Sequence, residues 1–283
     1  MGCKNTPANT ASFHKSPSHG ETYKKVDTPP SVSFSSQSIS DIPKGVCDNL
    51  VKGSLGYKNL TGRKPNAYEK IGSSVKARGI FAEHWGSFKG PQILIIGQTH
   101  GDECSPAFFV EQIRLKDPLN YGVWLIPTLN PDGLVKHSRK NANNVDLNRD
   151  GLVASQPETK ALLSFTNKIK PALSIHLHSP YTWVGFHNGE LAFNLANEFS
   201  KAAGWNYPNN SGELSDSKRA FLWQGQAKIL PGHQSVLIEL PAISIKEAAG
   251  APQPDMAKYV SIDSARRLAV SLRGALDQVF SNK

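Results

Sequence analysis

His100 and Glu103 stand three residues apart in Gly97-Gln98-Thr99-His100-Gly101-Asp102-Glu103, directly after the apolar run Ile93-Leu94-Ile95-Ile96. A neutral imidazole and a carboxylate at that spacing can converge on one cation, and the combination suits Zn²⁺. The apolar run reads as a buried strand. Its glycine-bounded turn then delivers both groups to the strand's carboxyl end, where open α/β sheets bind ligands. Alone, the pair also fits a solvated helix start.

Three further segments offer compatible chemistry. Ser174-Ile175-His176-Leu177-His178-Ser179-Pro180 ends a strand with both histidines on one face, because side chains alternate. Val236-Leu237-Ile238-Glu239-Leu240-Pro241 sets an acid at an apolar strand end. Burial there raises a carboxyl pKa towards neutrality, which a general base needs, although a structural ion pair is the plainer alternative. The block 139–149 is a polar loop with two arginines and four asparagines, Arg139 and Arg149 at its ends. Guanidinium forks beside amide donors suit a carboxylate or a developing oxyanion. Leu129-Asn130-Pro131-Asp132-Gly133 reads by itself as an ordinary Pro-Asp-Gly turn.

The elements that must position these groups alternate between strand and helix. Strands are expected at 78–83, 92–96, 122–126, 172–177 and 235–240, and helices at 103–115, 157–169, 190–203 and 256–280. The last helix carries an apolar stripe at Val260, Ala265, Leu268, Leu272 and Leu276, suited to covering a sheet face. This alternation implies a three-layer α/β/α domain. It begins after a polar, Ser-, Pro- and Lys-rich segment: residues 1–60 read as disordered or tether-like, and 61–283 as the catalytic domain.

Composition narrows the partners. A net charge of +9 and a pI near 9.4 favour anionic surfaces or substrates. The Lys and Arg residues are scattered, without a basic helix or an aromatic-interleaved RNA signature, so no nucleic-acid partner is expected. Cys3, Cys47 and Cys104 make no disulfide framework, and Cys104 reads as a small buried hydrophobe. No apolar run approaches the length of about 18 residues that a membrane span needs. Met1-Gly2-Cys3-Lys4-Asn5-Thr6 formally matches a myristoylation pattern. As written the chain carries no export signal and reads as cytoplasmic. The alternative is a membrane-tethered periplasmic lipoprotein, lipid-anchored at Cys3, with 6–42 as its tether.

Taken in order, the motifs resemble the zinc carboxypeptidases of the carboxypeptidase A type. They are His100-Gly101-Asp102-Glu103, Asn130-Pro131-Asp132-Gly133, Val145-Asp146-Leu147-Asn148-Arg149, a His-ended strand and a Glu-ended strand. The murein tripeptide amidase branch is the nearer likeness, through the block 139–149, Gln156-Pro157-Glu158-Thr159-Lys160-Ala161-Leu162 and Glu239-Leu240-Pro241-Ala242-Ile243-Ser244. The resemblance implies a mixed central sheet and one Zn²⁺ held by His100, Glu103 and a third histidine. The amidase-like pattern selects His178 and the digestive enzymes His176. It further implies Glu239 as general base, Arg139 as the carbonyl-polarising arginine, and Asn148 with Arg149 as the substrate-carboxylate clamp.

The implied activity is hydrolysis of the γ-D-glutamyl-diaminopimelate bond of murein peptides. The alternatives are a conventional carboxypeptidase, an N-acyl amino acid deacylase, and a catalytically inactive wall-binding module. Two departures bear on substrate. Asp150-Gly151-Leu152 stands where the family commonly has Phe-Pro and a long loop, which suggests a more open site. The tyrosine that caps the pocket of digestive carboxypeptidases has no matching motif, although Tyr181 and Tyr207 lie nearby.

Overall fold

Residues 64–114, 120–205, 220–243 and 262–280 are described by the computed structural model. The expected tether at 1–60 lies outside them. Among the described residues, the strands are β1 (Ala67–Ser73), β2 (Gly79–Gly86), β3 (Gln92–Ile96), β4 (Gly122–Ile126), β5 (Leu173–His178), β6 (Trp183–His187) and β7 (Ser235–Glu239). They form one sheet in the order β1-β2-β4-β3-β5-β7-β6. The central β4, β3, β5 and β7 run parallel, while β1, β2 and β6 add antiparallel pairings at the two edges. The sheet is therefore mixed, as expected.

The helices are α1 (Cys104–Ile113), α2 (Pro131–Lys136), α3 (Pro157–Ile169), α4 (Glu190–Ala203), α5 (Leu222–Ile229) and α6 (Ile262–Phe280). Residues 256–261 of the expected last helix lie outside the described residues. Strand alternation divides the apolar side chains between two cores. Ile93, Ile95, Leu173, Ile175, Leu177, Val236 and Ile238 pack with residues of α1, α4 and α6 on one face. Leu94, Ile96 and Ile126 pack with Ala161, Leu162 and Phe165 of α3 and with Leu222 of α5 on the other. Full burial of each such side chain contributes about 1.5–3 kcal/mol. No described helix is long and apolar enough to cross a membrane.

Three neighbouring parallel strands thus end at one sheet edge. β3 leads to His100 and Glu103, β5 ends on His178, and β7 ends on Glu239, with His178 and Glu239 paired in register.

Candidate active site

The turn after β3 is held by backbone contact with α2. A Cβ on Gly101 would stand 1.9 Å from the carbonyl carbon of Gly133, so only glycine allows the approach. Gly101 N–H donates to the Ser138 carbonyl at 3.0 Å. Asn130 caps α2 by accepting from Gly133 N–H at 2.9 Å, and its amide donates to the Thr99 carbonyl at 3.2 Å. The Asn-Pro-Asp-Gly segment therefore starts a short helix that braces the turn carrying His100, where the sequence by itself suggests a simple turn.

His100, Glu103 and His178 converge, all three buried, with potential ligand atoms within 4.8 Å of one another. His100 Nδ1 lies 2.5 Å from Glu103 Oε1, His178 Nδ1 lies 3.1 Å from Glu103 Oε2, and the two Nδ1 atoms are 3.2 Å apart. Donors on a tetrahedral zinc at about 2.0–2.1 Å stand about 3.4 Å from one another. The two imidazole nitrogens and the carboxylate accordingly suit a single metal ion in donor type, and the two Nδ1 atoms do so in spacing.

His176 takes another place. Its Nε2 is 2.7 Å from Gln226 Oε1, and Gln226 donates to Thr166 Oγ1 and Ser174 Oγ at 2.9 and 3.2 Å. Ser174 Oγ in turn contacts His233 Nε2 at 2.8 Å. Burial pushes His176 down to about 3, and it stays neutral inside this network.

The orientation of His100 comes from Asp146, a residue to which the sequence reading gave no role of its own. Asp146 Oδ1 accepts from His100 Nε2 at 3.0 Å and from Asn148 N–H at 2.9 Å, and Oδ2 accepts from Arg139 Nε at 3.0 Å. With Nε2 as donor, the lone pair on Nδ1 is left for a cation. The available signal was an acid inside a loop otherwise noted for its arginines. Asp146→Ala should weaken metal binding by about 10–100-fold without changing the ligand set. Competition against a chelator of known affinity measures this; an unchanged affinity would leave Asp146 a loop residue only.

Electrostatics follow from burial plus these contacts. Burial by itself would lower His100, but the Glu103 carboxylate and the Asp146 hydrogen bond raise it to about 9. Burial would likewise raise Glu103, yet the two histidines hold it below the ordinary carboxylate range. Glu239 has no such cation in contact: burial first, then the Glu103 charge, push it up to about 8. Its Oε2 has no hydrogen-bond partner among the described residues, and the Tyr181 N–H donates to the carboxylate.

Arg139 borders the same group, with NH1 3.7 Å from Glu103 Oε1 and its side chain 45% exposed. Asn148 is buried and accepts from Leu222 N–H at 3.4 Å through Oδ1. Exposed Arg149 donates to the Asn148 carbonyl at 2.8 Å and lies over the Phe221 ring, 4.7 Å from its centroid. The other asparagines in this block serve the loop itself. Asn141 Oδ1 accepts from Asn143 and Val145 N–H, and both Asn141 and Asn143 side chains donate to Gln156. Cys104, expected to be a small buried hydrophobe, is instead disulfide-bonded and only half-buried. Cys3, Cys47 and Tyr207 lie outside the described residues.

No family model matches the chain. It is 38% identical over 113 residues to carboxypeptidase SOL1 of Arabidopsis thaliana, a match covering 31% of this chain and 23% of that protein. It is 30% identical over 117 residues to murein peptide amidase A of Escherichia coli K12, covering 31% of this chain and 48% of that protein. The chain thus matches less than half the length of these curated relatives. Two crystal structures share the fold. The murein-tripeptide amidase MpaA of Escherichia coli O157 has a TM-score of 0.52 at 22% identity, over 74% of this chain and 93% of that one. A metallo-carboxypeptidase from Burkholderia cenocepacia has a TM-score of 0.58 at 17% identity, over 75% and 64% of the two chains. Over these stretches the chain is similar in sequence to a carboxypeptidase and to a murein peptide amidase, and it shares the fold of the metallo-carboxypeptidases.

Proposed function

We propose that this chain is a zinc-dependent peptidase that hydrolyses the γ-D-glutamyl-diaminopimelate bond of murein peptides. The observation that carries the hydrolytic reading is the convergence of His100, Glu103 and His178 at the same sheet edge as an unpartnered, buried Glu239 carboxylate oxygen. A zinc ion held by those three residues would keep an open position for water and lower the pKa of that water towards ~7.

The chain's own groups supply the remaining chemistry. Glu239 takes the proton from the attacking water at its carboxylate and hands it to the departing amine. The exposed guanidinium of Arg139, anchored through Nε on Asp146, offers its terminal nitrogens to the developing oxyanion. Arg149 binds the carboxylate of the leaving residue, helped by the Asn148 side-chain amide, whose Oδ1 is occupied by Leu222 N–H.

Support for a murein substrate comes from the match to murein peptide amidase A and from the exposure of Arg149. An open polar site accommodates the additional amine and carboxylate of diaminopimelate. A conventional carboxypeptidase is the second reading, favoured by the match to carboxypeptidase SOL1 and by the aromatic Phe221 beside the clamp. The zinc-loaded protein should release diaminopimelate from L-Ala-γ-D-Glu-diaminopimelate and act little on peptides ending in Phe or Leu. Amino-acid analysis of both digests decides between them. Free Phe, with the murein tripeptide intact, would establish the second reading.

A further inference from the structure

β7 ends on Glu239, and two anchors hold the backbone immediately beyond it. Leu240 N–H donates to the His178 carbonyl at 2.7 Å. Ser105 then grips the chain twice through one oxygen: its Oγ donates to the Pro241 carbonyl at 2.9 Å and accepts from Ile243 N–H at 3.2 Å. Ser105 stands in the first turn of α1, two residues after Glu103, and is buried. Both anchors therefore lie on segments that carry metal-ligand candidates, His178 on one side and the Glu103 turn on the other.

Leu240, Ala242 and Ile243 are buried, which keeps this segment against the domain. Apolar burial is non-directional, however, and does not set where the segment stops along α1. Two hydrogen bonds converging on one hydroxyl do set it. A general base works only within hydrogen-bond reach of the proton it takes, and a misplacement of about 1 Å costs on the order of 10²-fold. We propose that Ser105 is a positioning residue, whose hydroxyl holds Glu239 at its working distance from the His100, Glu103 and His178 group by tying the backbone beyond the base to the turn that carries Glu103.

This rests on the general-base reading of Glu239 but not on the identity of the peptide. Ser105→Ala, Ser105→Thr, Glu239→Gln and the double variant Ser105→Ala/Glu239→Gln should be compared with the unsubstituted full-length protein. All are zinc-loaded and assayed well below their melting temperatures on the murein tripeptide and on trialanine. Whichever peptide is hydrolysed, Ser105→Ala should lower kcat by about tenfold with KM and zinc content unchanged. Ser105→Thr, which keeps the oxygen, should recover most of that loss. In the Glu239→Gln background Ser105→Ala should have no further effect, because the group it positions is already disabled. An unchanged kcat, an equal fall in both backgrounds, or loss of folding in Ser105→Ala would make the residue a structural brace and overturn the proposal.

Calorimetric binding of acetohydroxamate to the same zinc-loaded proteins gives a readout without turnover. This probe offers two oxygens to a metal and its hydroxyl proton to an adjacent carboxylate. Ser105→Ala should weaken its Kd by about fivefold, the scale of one disturbed hydrogen bond, and should leave it unchanged in the Glu239→Gln background. If trialanine is cleaved and the tripeptide is not, the murein reading fails while the serine comparison still decides. If neither is cleaved, the peptidase reading fails and the probe decides alone. A Kd that Ser105→Ala does not change, or no binding of the probe, then overturns the positioning role.

Discussion

Glu239→Gln should lower kcat by about 10²–10⁴-fold while zinc content, melting temperature and peptide binding stay near those of the unsubstituted protein. Glutamine matches the carboxylate in shape, and its carbonyl oxygen can still accept from Tyr181 N–H. What disappears is the capacity to take a proton. The pH profile makes the assignment more specific. Burial, with the Glu103 charge second, raises Glu239 to about 8 without a metal, and a divalent cation beside it lowers that value. The base is active when deprotonated, so kcat/KM should rise with pH through a limb lying below pH 8 in the zinc-loaded protein. That limb should be missing from Glu239→Gln. Near-normal turnover with the limb intact would remove Glu239 from the reaction and leave it a buried structural acid.

Much of this arrangement was legible because each chemical group follows an apolar strand. Ile93-Leu94-Ile95-Ile96 and Val236-Leu237-Ile238 are strands by composition, so the groups at their ends are placed at one sheet edge before any contact is known. The edge strands were harder to see. β1, Ala67–Ser73, alternates exposed with half-buried residues and carries Glu69 and Lys70, as an edge strand tolerates but as a loop also would. In β6, Trp183–His187, a central Gly185 interrupts a short run that begins three residues after Pro180, and pairing with β7 supplies the order that local propensity does not.

Partnership was less legible than position. Asp146 lies 46 residues from His100 in sequence, and nothing local says that its carboxylate meets that imidazole. Asn130 and Asp132 read as parts of a simple turn, yet one caps α2 and the other accepts from Lys76 N–H and Arg78. That segment is a brace behind the site rather than part of it.

The choice between His176 and His178 shows the same distinction, and metal binding tests it. Both project from the same face of β5, so alternation cannot separate them. Depth does: His178 ends the strand and meets Glu103, whereas His176 lies two residues inside and is committed to Gln226. His178→Ala should lower zinc affinity by more than about hundredfold, exceeding the scale on which outer-shell partners act. His176→Ala should keep its zinc but lose stability by about 1–3 kcal/mol, because Gln226 is left with a buried oxygen unpartnered. Protons report the same event in the unsubstituted protein. At pH 7 the metal-free His100, at about 9, and Glu239, at about 8, are mostly protonated. Zinc must displace the first proton to reach Nδ1 and lowers the affinity of Glu239 for the second. An indicator-dye titration at pH 7 should therefore show release of about one to two protons per zinc, falling towards none above pH 9, where both groups are already ionised. Glu239→Gln should remove only its own share. Zinc retained by His178→Ala and lost from His176→Ala would transfer the third ligand to the deeper histidine.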